Sequence, residues 1–338
     1  MIIVFKPGAT QEQVENILQR LKEIGMTPHL SKGVSRTICG AIGDERLLSQ
    51  YPLDAFEGIE RIIPILKPYK LASREFKRED TVVDVDGVEI GGDRFTVMAR
   101  PCAVENAEQL FHIADFLASQ GVRILRGGAF KPRSSPYAFQ GLGVKGLELL
   151  SEARKRSGLK IVTEVMDTET VDVVAEHADI LQIGARNMQN FALLKRCGQT
   201  RKPILLKRAM SSTVQELLLA AEYLLDMGNE RVILCERGIK TFETATRSTL
   251  DISAVPIVKI ESHLPIIVDP SHAAGMREII PALSCAAVAA GADGIIVEVH
   301  HQPEKALCDG QQALRESDML RVLGGVRKVA EAMGRRVG

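Results

Sequence analysis

Four residues of the 338-residue chain carry the side-chain types that hold a divalent metal ion: Cys102, His272, Glu298 and Asp309. One thiolate, one imidazole and two carboxylates suit a borderline ion such as Mn, Fe, Zn or Co, whereas a purely hard-ion site does without a thiolate. Cys102 alone reads as a small buried hydrophobe; beside the other three it reads as a ligand. A second group is cationic: Arg126, Lys131, Arg133, Arg186, Lys207, Arg208 and Arg237. These cations recur at the ends of apolar runs rather than on polar helix faces, a placement suited to capturing phosphates and carboxylates. Arg offers bidentate forks, and Gly127, Gly128 and Gly238 allow close backbone approach to an anion. Arg208, adjacent to Lys207 on a strand, faces the opposite way and is the expected structural member. Glu298 alternates with Ile296 and His300, so both polar side chains should point inward; His300 and His301 are expected beside the ligands or at the rim rather than among them. The chemistry implied is an anionic-substrate pocket with a divalent metal on one side.

The elements that must position these groups are regularly spaced. Apolar strands are expected at 95–99, 123–127, 160–165, 179–184, 203–207, 231–236, 265–269 and 294–299, about 28 residues per unit. Amphipathic helices, such as 107–119, 214–227 and 319–333, fill the gaps. Eight strand–helix units predict a TIM barrel, whose chemistry sits at the C-terminal ends of the strands. Cys102 follows strand 1, His272 strand 7, and Glu298 and Asp309 belong to strand 8 and its loop, so the metal group assembles only if strand 8 closes onto strand 1. An open doubly wound sheet is the competing reading, but no GxGxxG follows any strand.

Before residue 67 the pattern differs. A strand at Ile2–Phe5, a helix capped by Thr10 and stopped by Gly25, strands at 29–30 and Thr37–Ile42 around turn residues 31–35, a helix capped by Asp44 and a strand at 61–66 make a βαββαβ unit of ferredoxin-like type. It carries no His, Cys or carboxylate cluster and reads as non-catalytic. Residues 67–80 are a charged connector. Runs at 82–85 and 88–90 flank Asp86-Gly87, a hairpin signal, and such a hairpin suits the bottom of a barrel. The expected division is 1–66 as a small α+β domain and 67–338 as a (β/α)8 barrel with an N-terminal hairpin.

Composition narrows the class. Forty-three basic and 43 acidic side chains, with 4% aromatics and no Trp, argue against a nucleic-acid binder. No apolar stretch approaches about 18 residues, and the start MIIVFKPGAT is charged too early for a signal peptide. Six scattered cysteines without a CxxC pair suit a reducing compartment, so a soluble cytoplasmic protein without membrane contact is expected.

The run LRGGAFKPRSSPYAFQGLG, with PCAVEN, IGARNMQN, LLKRAM, ILCERG, VDPSHAAG and IIVEVH followed by KALCDG, resembles 3-deoxy-D-arabino-heptulosonate 7-phosphate (DAHP) synthases of class I. The motifs stand in the family's order over residues 67–338, and the first 66 residues resemble the regulatory domain of its ferredoxin-like branch. The resemblance implies a transferase that condenses phosphoenolpyruvate (PEP) with erythrose 4-phosphate at the entry to the shikimate pathway. It implies one divalent metal on Cys102, His272, Glu298 and Asp309. Arg126, Lys131, Ala185, Arg186, Lys207 and Arg237 are implied to hold PEP, and Lys131, Pro132, Arg133 and Ser134 to meet erythrose 4-phosphate. Lys131 as proton donor and Glu164 as orienter of water complete the expected catalytic set with Cys102. A homotetramer and a tyrosine or phenylalanine effector are implied as well.

Three positions depart from the family pattern. Arg100 and Ala209 stand where glycine is expected, and His301 where proline is expected. Arg100 places a long cation beside the metal and PEP, which keeps open a barrel that binds PEP without turnover. The sister enzyme, 3-deoxy-D-manno-octulosonate 8-phosphate synthase, is the other alternative; its family reads KANR where this chain reads Lys131-Pro132-Arg133-Ser134.

Overall fold

The structure, a computed structural model, describes residues 1–33, 36–43, 51, 56–63, 67–132 and 135–338. They form two compact units, Met1–Pro68 and Tyr69–Gly338.

In the first unit, β1 (Ile2–Phe5), α1 (Gln11–Glu23), β2 (Thr27–Lys32), β3 (Thr37–Ile42) and β4 (Ile59–Ile63) follow one another. The sheet order is β2-β3-β1-β4, with β1 antiparallel to both neighbours. Helix α1 starts where its sequence says it should. The Thr10 hydroxyl accepts from the Gln13 N–H, and the Gln13 side chain accepts from the Thr10 N–H, a reciprocal capping box. Val14, Ile17 and Leu21 recur on one face and pack on Ile3, Phe5, Cys39 and Ala41. Strand β2 runs longer than the dipeptide expected at 29–30, because all six of its residues pair with β3. The helix expected from Asp44, turn residues 34–35 and positions 64–66 of the last strand lie outside the described residues.

The second unit opens with a hairpin, β5 (Val83–Asp84) and β6 (Glu89–Ile90). Asp86 and Gly87 both take positive φ, 45° and 87°, as a two-residue type I′ turn demands. Eight parallel strands follow: β7 (Arg94–Arg100), β8 (Ile124–Arg126), β9 (Lys160–Val165), β10 (Ile180–Ile183), β11 (Ile204–Lys207), β12 (Val232–Glu236), β13 (Ile266–Val268) and β14 (Gly294–Glu298). Each pairs with the next, and β14 pairs with β7, which closes the barrel. A short terminal strand, β15 (Arg336–Val337), adds to the start of β7.

Strand alternation builds the interior in layers. The lower layer is apolar: Met98, Ile124, Val162, Ile180, Leu205, Ile233, Ile267 and Ile296. Val83, Val85, Val88 and Ile90 of the hairpin pack into it from below, so the hairpin plugs the barrel floor. Two residues further along each strand the same inward parity delivers Arg100, Arg126, Glu164, Gln182, Lys207, Cys235, Asp269 and Glu298, all buried. The upper layer is thus almost wholly polar, with three cations and three carboxylates.

Candidate active site

The polar layer floors a cavity of about 360 Å³ at the C-terminal ends of the strands. On one side a metal-type cluster assembles. Cys102 follows β7, Glu298 ends β14 and Asp309 lies in the loop beyond it; one ligand atom from each lies within 4.8 Å of the others. The Cys102 thiol donates to Asp309 Oδ2 at 3.1 Å. His272, from the short helix Pro270–Ala274 after β13, stands beside the cluster rather than within it. Its Nδ1 is 2.7 Å from Asp269 Oδ2 and its Nε2 is 3.8 Å from Glu298 Oε1.

Arg100 occupies the centre of this side. The β14–β7 register sets Glu298 directly across from it, and its side chain is 0% exposed. One guanidinium nitrogen donates to Glu298 Oε1; the other lies 3.2 Å from Asp269 Oδ2 and 2.8 Å from His272 Nδ1. The second oxygen of Glu298, Oε2, is buried without a hydrogen-bond partner among the described residues. An orphaned carboxylate oxygen beside a thiol, an imidazole and another carboxylate fits a divalent ion.

On the other side the cations converge. Arg126 is anchored at three points: Nε donates to Gln182 Oε1 at 3.2 Å, one terminal nitrogen to the Cys102 carbonyl at 2.9 Å, the other to Glu164 Oε2 at 3.1 Å. Gln182 also donates to Glu164 Oε2 at 3.0 Å. A Cβ at Gly184 would lie 2.0 Å from Glu164 Oε1, so only glycine lets the carboxylate sit there. Lys131 joins the two sides, its Nζ lying 3.1 Å from both the Cys102 carbonyl and the Cys102 sulfur. A Cβ at Gly128 would meet the Lys131 stem at 2.7 Å, so this approach also needs glycine. Lys207 pairs with Asp269 and lies 3.3 Å from His272 Nδ1. Arg237 donates to the His272 carbonyl at 3.2 Å, and Ala185, Arg186 and Pro132 border the cavity. Arg133 and Ser134 lie outside the described residues.

Burial and these contacts set the charges. The Cys308 sulfur, burial and the nearby Glu298 push the Cys102 thiol well above its ordinary range, so the metal-free thiol is neutral. Burial lowers the Lys207 ammonium against the pull of Asp269. Burial, with Arg100 and Lys207 adjacent, also holds the His272 imidazole well below its usual range, leaving it neutral and able to donate a lone pair. Burial opposes a charge on Asp269, but the Lys207 and Arg100 cations, with a hydrogen bond from the His272 ring, hold its carboxyl well below the usual carboxylate range.

Three residues escaped sequence reasoning. Asp269 holds Arg100, Lys207 and His272 together, and Gln182 orients Arg126. Both lie two positions beyond an inward apolar residue, the signal that exposes them. Arg247, 3.3 Å from Asp309 Oδ1 and 3.0 Å from Gln312 Oε1, comes from the loop after β12, where no periodicity marks it. Arg208 faces away from the cavity onto Glu236 at 2.9 Å and Asp251 at 2.7 Å. His300 stands apart from the ligand cluster, 3.6 Å from Glu105 and stacked on His301.

Residues 76–333 match the DAHP synthetase I family, and residues 1–67 match the DAHP synthase ferredoxin-like domain. The chain is 52% identical to the phospho-2-dehydro-3-deoxyheptonate aldolase of Thermotoga maritima over 337 residues, all of both chains. It superposes on the crystal structure of a Thermotoga maritima phospho-2-dehydro-3-deoxyheptonate aldolase (DAHP synthase) with a TM-score of 0.97, at 51% identity, covering 100% of this chain and 99% of that one. It is 33% identical to the 2-dehydro-3-deoxyphosphooctonate aldolase of Syntrophobacter fumaroxidans, over 68% of this chain and 85% of the relative.

Proposed function

Since the chain belongs to the DAHP synthetase I family, we propose a division of labour among its residues for the reaction that family performs. The reaction condenses PEP with erythrose 4-phosphate and water to give DAHP and phosphate, the entry step of aromatic biosynthesis through the shikimate pathway. The observation that carries the proposal is Lys131, whose Nζ touches Cys102 on the metal side while its neighbours Arg126, Lys207 and Arg237 ring the anion side.

Arg126, Lys131, Ala185, Arg186, Lys207 and Arg237 hold the PEP phosphate and carboxylate, and the fixed forks of Arg126 and Arg237 orient them. Lys131, Pro132, Arg133 and Ser134 receive erythrose 4-phosphate. Cys102, His272, Glu298 and Asp309 would hold one divalent ion (Mn, Fe, Zn or Co), which when bound supplies Lewis-acid polarisation of the aldehyde. Carbon 3 of PEP bonds to the aldehyde carbon, Lys131 gives a proton to the resulting alkoxide, water held by Glu164 adds at carbon 2, and phosphate leaves by C–O cleavage as carbon 2 becomes a ketone, one proton of the water leaving with the phosphate and the other restoring Lys131. Binding both substrates against oriented groups removes their translational freedom before reaction.

The barrel is also similar to the octulosonate aldolases, but Lys131-Pro132-Arg133-Ser134 and the matched N-terminal domain favour the four-carbon aldehyde. Residues 1–66 are proposed as the regulatory domain and 67–338 as the catalytic barrel, with tyrosine or phenylalanine as effector; the ferredoxin-like match supports this. Deleting 1–66 should abolish inhibition by these amino acids. We place the enzyme in the cytoplasm as a homotetramer, which sedimentation of the full chain tests; no helix among the described residues is long and apolar enough to cross a membrane.

The central test follows the enol absorbance of PEP with erythrose 4-phosphate, with chelator, and with manganese restored. Metal-dependent loss supports the assignment. Loss with arabinose 5-phosphate instead would move the chain to the sister reaction. No loss with either aldehyde would leave PEP binding without turnover.

A further inference from the structure

Arg100 is one of the three positions at which this chain leaves the pattern its motifs resemble, and the structure places it against the candidate metal ligands. An arginine side chain stays protonated at any pH the protein survives, so its charge is permanent. Here it is fully buried and engages three groups at once: Glu298 Oε1, Asp269 Oδ2 and His272 Nδ1. Glu298 and His272 belong to the proposed ligand set, and of the two Glu298 oxygens only Oε2 is without a partner. The polar layer of the barrel holds Arg100, Arg126 and Lys207 against Glu164, Asp269 and Glu298. With Arg100 present that layer is electrically balanced; without it, a carboxylate is in excess beside the ligands.

We propose that Arg100 is a built-in competitor of the divalent ion, holding Glu298 and Asp269 in the metal-free enzyme and lowering the affinity of the site for metal. This rests on the ligand assignment proposed above. Two consequences follow from Coulomb's law. A divalent ion on Cys102 and Asp309 meets a fixed positive charge already seated on Glu298, and at an effective dielectric of about 20 such a contact weakens binding at least about tenfold. The ion reaches Glu298 through Oε2, or it displaces the guanidinium. In exchange, the metal-free site carries its own counter-charge, so the apo protein does not depend on metal to neutralise its buried carboxylates.

The test is a Co2+ titration of the full chain and of Arg100→Gly, read by calorimetry and by the thiolate-to-cobalt charge-transfer band that Cys102 ligation produces. Arg100→Gly should bind Co2+ at least about tenfold more tightly, and its melting temperature should fall on chelation more than that of the parent. Arg100→Met, which keeps the volume and removes the charge, carries the same expectation should the glycine variant fail to fold. Arg100→Lys keeps the charge and should stay as weak as the parent. Equal affinity in the parent and in the neutral variants overturns the proposal while leaving the ligand assignment standing. Absence of the thiolate band in every variant overturns both.

Discussion

Glu164 offers a quantitative test because its carboxylate is held between two buried neighbours and faces the cavity. Its Oε2 accepts from Arg126 at 3.1 Å and from Gln182 at 3.0 Å. Two substitutions separate its charge from its position. Glu164→Gln keeps an oxygen for Arg126 and removes the negative charge from beside an anionic substrate. A phosphate on the far face of Arg126 would lie roughly 7 Å from that carboxylate, where like charges repel by about 2 kcal/mol per unit charge at an effective dielectric of about 20. Recovering half of this tightens PEP by about fivefold or more. Glu164→Ala instead leaves Arg126, 1% exposed, with an unpaired buried charge. Breaking a buried pair costs about 3–5 kcal/mol, which at about 2–4 °C per kcal/mol lowers the melting temperature by about 6–20 °C. PEP, as a replacement counter-ion, should restore more of that loss in the alanine variant than it adds to the parent. Calorimetric titration with PEP and scanning calorimetry with and without it make the measurement. Weaker PEP binding by Glu164→Gln, or an alanine variant that melts with the parent in the absence of PEP, would refute the reasoning.

Lys131→Met should lower kcat by about 10²–10⁴-fold, the usual value of a positioned proton donor; intact turnover with only weaker PEP binding would remove that role. Arg208→Met strands the buried Glu236 and should lower the melting temperature while leaving the KM for PEP unchanged, because Arg208 faces Glu236 and Asp251 outside the cavity; a raised KM in steady-state assays would contradict its structural place. Burial holds the His263 imidazole below its usual range while it hydrogen-bonds Thr81 and the Leu71 carbonyl. The unfolded chain therefore takes up that proton first, so stability is complete above about pH 6.5 and declines as pH falls below it. In melting curves taken across that range, His263→Gln should flatten the decline, and an unchanged slope would show that the acid sensitivity arises elsewhere.

Much of the molecule was legible from residue order because its rules are local. Regularly spaced apolar runs marked the eight strands, and alternation within them put Glu298 inward and set Arg208 opposite Lys207; the Thr10 and Gly25 signals bracketed the first helix; Asp86-Gly87 announced the hairpin. The same alternation, applied once more above the apolar layer, would have found Gln182 and Asp269. They were missed because an amide and a carboxylate at a strand end look like solvated residues until three other strands bring Arg100, Arg126 and Lys207 around them. Arg247 carries no periodic signal at all, since loop backbones have no repeat.

By itself the sequence determined a closed barrel, the mouth at which the chemistry gathers, and the thiol and two carboxylates that meet there. It also showed that a cation stands at position 100. Alternation two positions beyond Met98 turns that cation inward, but which groups it meets there was decided by the tertiary structure alone. The answer depends on strand register where the barrel closes, a pairing between Arg100 and Glu298 across 198 positions of chain. Local propensity cannot set such a register; it follows from the shear that all eight strands adopt together when they pack around one core.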